Sequence, residues 1–107
     1  MHYPLGKWQT AVKEVLEGLD DYDLRVDDSG TRRILKKHGI VFSPPRKRKG
    51  RGMRVVVRDK HLTLVPSKGE LAQERISGIQ NVINLANSRH GTNAKIIQDR
   101  GRVIIRQ

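Results

Sequence analysis

The side chains best able to carry chemistry in this chain are four histidines, eleven carboxylates and twenty-two lysines and arginines; there is no cysteine. Catalysis needs a nucleophile or an acid–base pair held in a supporting constellation. His2, His38, His61 and His90 are scattered and fall at no metal-ligand spacing. His61, which opens a predicted strand near the most basic stretch, has the strongest claim to be a general base, in a nuclease. Most carboxylates lie elsewhere in the chain, so His61 has no evident partner. Asp20, Asp21, Asp23, Asp27 and Asp28 invite a calcium reading. A calcium loop, however, needs ligands at alternate positions, a central glycine and a closing glutamate, and these are missing. Gly50-Arg51-Gly52 lacks the later glycine, lysine and hydroxyl of a phosphate loop. No catalytic residue, metal or cofactor is expected.

Binding needs less. The stretch PPRKRKGRGMRVVVR, residues 44–58, holds Arg46, Lys47, Arg48, Lys49, Arg51, Arg54 and Arg58 and no carboxylate. Upstream, Arg32, Arg33, Lys36 and Lys37 fall at i, i+1, i+4 and i+5, a spacing that puts them on one face of a helix. From Arg32 to Arg58 there are eleven cations and no acid, whereas seven of the eleven acids fall between Glu14 and Asp28. A surface that only needs solubility intersperses its charges. Segregation makes a one-signed field, which steers a polyanion, and the net charge of +11 agrees. The acidic lobe would restrain indiscriminate binding. Tyr3, Trp8, Tyr22 and Phe42 are the only aromatics, too few for a platform that stacks single-stranded bases. Duplex RNA or DNA, gripped by its phosphates, is the expected partner.

These residues must be held by a fold. Leu5, Trp8, Val12, Val15, Leu16 and Leu19 recur at helical spacing and predict an amphipathic helix over residues 5–19, with Trp8 as a core anchor. Asp20 to Gly30 reads as an irregular acidic loop. Ser29 would cap a short helix, residues 31–38, stopped by Gly39. Residues 40–43 read as a strand cut short by Pro44-Pro45. Residues 53–58 and 61–65 form a hairpin turning at Asp59-Lys60. Ser67 and Glu70 make a capping box for a second long helix reaching Ala86. Asn87 to Asn93 reads as a polar loop, before a hairpin of residues 94–98 and 102–106 around Asp99-Arg100-Gly101. The expected fold is a single α+β domain over 1–107, a small antiparallel sheet packed on helices, in the order α-α-β-β-β-α-β-β. Within it stand an N-terminal helix and acidic loop (1–28), a core (29–86) and a C-terminal hairpin (94–106).

SGTRRILKKHGIVF, KGRGMRVVVRDKHLTLVP and KGELAQERISGIQNVI together resemble the small HicA-type toxin domain. That family has the double-stranded-RNA-binding fold of helix, three strands and helix. The resemblance covers residues 29–86 and implies duplex RNA binding, with the 46–51 cluster entering a minor groove and Lys68 meeting phosphate at the start of the last helix. It does not carry over the family's RNA cleavage. Where the family places Gly-Ser-His, this chain has Gly50-Arg51-Gly52, without the histidine. TRRILKKHGI followed by FSPPRKRKGR also resembles a transposase-type recognition helix with its basic linker, which implies a helix-turn-helix regulator of DNA. The acidic loop before it is long for that motif's tight turn.

No apolar run approaches the ~18 residues of a membrane span, and MHYPLGKWQ lacks the apolar core of a secretory leader. A cytoplasmic protein is expected, without a membrane partner. A protein-partner inhibitor or interaction module, using the acidic lobe or the terminal hairpin, is the alternative from another class, and a dimer is compatible with it.

Overall fold

A computed structural model describes residues 6–41 and 52–107. Among them are three helices and one five-stranded, mostly antiparallel sheet: α1 (Lys7–Glu17), β1 (Asp23–Arg25), α2 (Ser29–Lys37), β2 (Gly52–Val57), β3 (His61–Pro66), α3 (Gln73–His90), β4 (Lys95–Asp99) and β5 (Arg102–Arg106). The α+β class is the expected one. The first strand, however, is not at residues 40–43. Ile40 and Val41 are not in a strand, and residues 42 and 43 lie outside the described residues. The strand is instead Asp23–Arg25, inside the stretch read as loop, and it pairs parallel to β2. Only three residues long, it carries a single buried apolar side chain, Leu24, too little to register as a pattern.

The strand order is β1-β2-β3-β5-β4, so the C-terminal hairpin joins through its second strand, β5 against β3. Alternation decides the faces. Met53, Val55 and Val57 of β2, Leu62 and Leu64 of β3, and Val103 and Ile105 of β5 are all buried on one face. There they meet Trp8, Val12, Val15 and Leu16 of α1 and Ile76, Ile79 and Ile83 of α3, so both long helices cover the same side. The hairpin turn Arg100-Gly101 has φ of 52° and 82°, the two left-handed residues of the turn that matches strand twist.

Two caps differ from expectation. The N-cap of α2 is Asp28, not Ser29, and its carboxylate accepts the Thr31 N–H at 3.0 Å. The N-cap of α3 is Ala72, with no side-chain cap, so Ser67 and Glu70 form no capping box there. Ser67 donates its hydroxyl and its N–H to the Gly52 carbonyl at 3.0 and 2.9 Å, extending the β2–β3 ladder. At its other end α3 runs to His90, so Asn87 to His90 are helical rather than loop. Asn87 then organises the exit. Its amide donates to the Ala94 carbonyl and accepts from Ala94 N–H and the Thr92 hydroxyl. The end of α2 is as expected: Gly39 is left-handed at φ 66°, Gly39 N–H bonds Lys36 O, and Ile40 N–H bonds Leu35 O.

Candidate nucleic-acid interface

The helix α2 buries Thr31 and Leu35 and turns Arg32, Arg33, Lys36 and Lys37 outward, so the four cations read from the sequence do share an exposed face. What fixes that face is a clamp at the start of the helix. Thr31 is fully buried; its hydroxyl accepts the Val57 N–H at 3.0 Å and donates to Asp28 Oδ1 at 2.6 Å. Arg58 Nη1 donates to Asp28 Oδ2 at 2.9 Å, to Thr31 Oγ1 at 3.2 Å and to the Val57 carbonyl at 2.9 Å. The Thr31 hydroxyl thus takes the place of a neighbouring strand at the end of β2. Asp28 is held well down, from 3.8 to about 2, first by the Thr31 hydroxyl, with the Thr31 N–H and Arg58 adding to it against its partial burial.

Near its other end α2 meets the chain that leaves it. Val26, Arg32, Lys36 and Val41 line a shallow hollow of about 340 Å³, and Arg32 donates to the Val26 carbonyl at 2.9 Å. Val41 is 75% exposed. The cationic sequence 46–51 follows within ten residues, but Arg46, Lys47, Arg48, Lys49 and Arg51 lie outside the described residues.

The remaining expected site residues separate. Arg54 is exposed on the sheet face opposite the helices. Arg58 is engaged in the clamp, a positioning role that its place in a charge run did not suggest. Lys68 is exposed in the connection between β3 and α3, five residues before the helix begins, so it does not stand at a helix start. His61 is half-buried at the start of β3, paired with Arg106 and joined across the hairpin to Arg58. Its row neighbours are cations, not a carboxylate that could share its proton.

Register also reveals cations that sequence reading missed. On the face away from the helices, His61, Arg106 and Lys95 lie in one row across β3, β5 and β4. Val56, Thr63, Ile104 and Ile97 form the next row. The signal was present in RVIIR and KII, where cations flank short apolar runs. Aligning them needed the β3–β5 pairing, which no local pattern states.

The acidic segment is largely engaged within the fold. Glu14 pairs with Arg89 at 3.3 Å, Glu17 with Lys13 at 3.9 Å, Asp23 with Arg25 at 3.7 Å and Asp28 with Arg58 at 2.9 Å; Asp21 pairs with Arg75. Five of the seven acids between 14 and 28 therefore balance cations outside the α2 stripe. Among the described residues no cluster of three histidines or carboxylates could hold a metal, and no helix is long and apolar enough to cross a membrane. Neither the known protein-family models nor the curated proteins include a match to this chain.

Proposed function

We propose that this is a small, basic, non-catalytic protein that grips the phosphate backbone of a nucleic-acid duplex, RNA or DNA, through α2 and the adjoining basic segment. One observation carries the reading: four exposed cations share one face of a helix that is locked to the sheet through Thr31, Asp28 and Arg58. Preorganised cations neutralise phosphates and release condensed counterions without first being ordered. The strand β1 stands between α1 and α2. The helix is therefore presented by a strand–helix–strand crossover, which weighs against the helix-turn-helix alternative. The resemblance to the double-stranded-RNA-binding domain favours RNA.

The test is a gel-shift panel of duplex RNA, duplex DNA and single strands at two salt concentrations. Changing Arg32, Arg33, Lys36 and Lys37 together to Ala should lower duplex affinity and flatten the plot of log K against log salt by about three to four units, ~0.9 for each phosphate no longer neutralised. The set Arg46, Lys47, Arg48 and Lys49 to Ala should weaken binding further. An unchanged slope in the first variant would sink the site; no shift with any nucleic acid would turn attention to a protein partner.

A further inference from the structure

The sheet has a second face that no described helix covers. Both long helices pack on the side of Met53, Leu62 and Ile105, and the other side carries the row His61, Arg106 and Lys95. With strands ~4.8 Å apart, that row spans about 10 Å. Arg58 is committed to Asp28, but Arg106, Lys95 and Lys60 are exposed, and none forms an ion pair with a described carboxylate. Lys60 belongs to the same end of the sheet, since Gln107 N–H donates to its carbonyl at 3.1 Å. Between them lies a cleft of about 430 Å³ walled by Lys60, His61 and Arg106, with Thr63 and Ile104 as its apolar side. The nearby turn carboxylate, Asp59, is exposed and leaves the group net positive.

We infer that this open sheet face is a second binding surface for the nucleic acid, seating a length of phosphodiester backbone along Lys60, Arg106 and Lys95, with His61 as a hydrogen-bond donor in the row. The inference rests on the proposed nucleic-acid binding and adds a surface distinct from α2. Charge complementarity selects the occupant. A second copy of this chain would bring the same cations against each other, and the row Val56, Thr63, Ile104 and Ile97 has no aromatic to stack bases. The sugar–phosphate chain is the part of a nucleic acid that a basic row beside a short apolar strip accepts.

The experiment uses the full chain with Lys60, Arg106 and Lys95 changed together to Ala, measured against the same duplex over a series of salt concentrations. The expected result is retained but weaker binding, with the salt slope lowered by about two to three units, ~0.9 for each phosphate. A companion variant, Arg106→Lys with Lys95→Arg, keeps the charges and should keep the wild-type slope; circular dichroism of both checks the fold. A wild-type slope in the triple Ala variant, while the α2 variant shows its expected flattening, overturns this inference and leaves the α2 site standing. Wild-type protein that binds no duplex overturns both. A concentration-dependent dimer abolished by Ile97→Lys, with an unchanged salt slope in the triple variant, would assign the face to self-association instead.

Discussion

Thr31 is the residue on which the placing of α2 most depends, and replacing it with valine gives a quantitative test. Valine keeps the shape and the burial but removes the oxygen. In the native protein that oxygen accepts the Val57 N–H at 3.0 Å and an Arg58 N–H at 3.2 Å, at a position with 0% exposure. Arg58 keeps Asp28 and the Val57 carbonyl, so the effect on it is small. The Val57 N–H has no such reserve, because β1 pairs with β2 only as far as Arg54. A buried donor left without a partner costs about 1–3 kcal/mol, so about 2 kcal/mol is expected. In a domain of this size that lowers Tm by roughly 8–10 °C. Thr31→Ser keeps the hydroxyl and gives up one methyl group, a loss of about 1 kcal/mol. Urea denaturation followed by far-UV circular dichroism, with unchanged m-value, is the measurement. If valine proves as stable as serine, the hydroxyl does not hold the helix to the strand, and the account of how the basic face is oriented fails.

Asp28 makes the same clamp sensitive to acid. Its folded-state pKa lies below its ordinary value, at about 2 against 3.8, so its stabilisation is present above the upper value and is lost as pH falls through the lower one. With its side chain about a third exposed, the contribution is about 1 kcal/mol after solvent screening. Between pH 5 and pH 2 the wild type should therefore lose about that much more stability than Asp28→Asn in parallel urea titrations; equal losses would remove the carboxylate from the account. On the other side of the molecule, Arg75 lies 5.3 Å over the Tyr22 ring, donates to the Gly18 carbonyl at 3.3 Å and pairs with Asp21, tying the first turn of α3 to the segment between α1 and β1. Arg75→Ala should cost about 1–2 kcal/mol, and Arg75→Lys should recover only part of it because an ammonium cannot stack as a plane; full recovery by lysine in the same denaturation assay would contradict the stacking.

What could be read from the residues alone was whatever repeats locally. The stripe of α1 from Trp8 to Leu16, the alternation of Met53-Val55-Val57, the Gly39 stop and the Arg100-Gly101 turn each follow from a period or a φ requirement that a few neighbouring residues declare. The basic face of α2 was legible for the same reason. Long-range partnerships were not. Asp28 looked like one acid among many because its partners, Arg58 and the Val57 backbone through Thr31, stand about thirty residues away. Ser67 and Glu70 had capping-box spacing, but Ser67 was taken up by Gly52 on the neighbouring strand. The row His61, Arg106 and Lys95 came from three strands whose order depends on β5 rather than β4 joining β3. The strongest sequence signal of all, residues 46–51, lies outside the described residues.

Trp8 has a use beyond its place in the packing. It is the only tryptophan, it is 5% exposed, and it belongs to α1, which packs on α3, while α2 packs on β2. Its indole N–H is buried with no acceptor among the described residues, so nothing described anchors it except shape. The molecule thus contains one tryptophan reporter, set in α1 rather than in α2 or on the open face of the sheet. Its emission will follow the opening of the helical layer. In a titration with nucleic acid, a change in that emission would mean that ligand bound at the basic surfaces had reshaped the packing of α1 on α3.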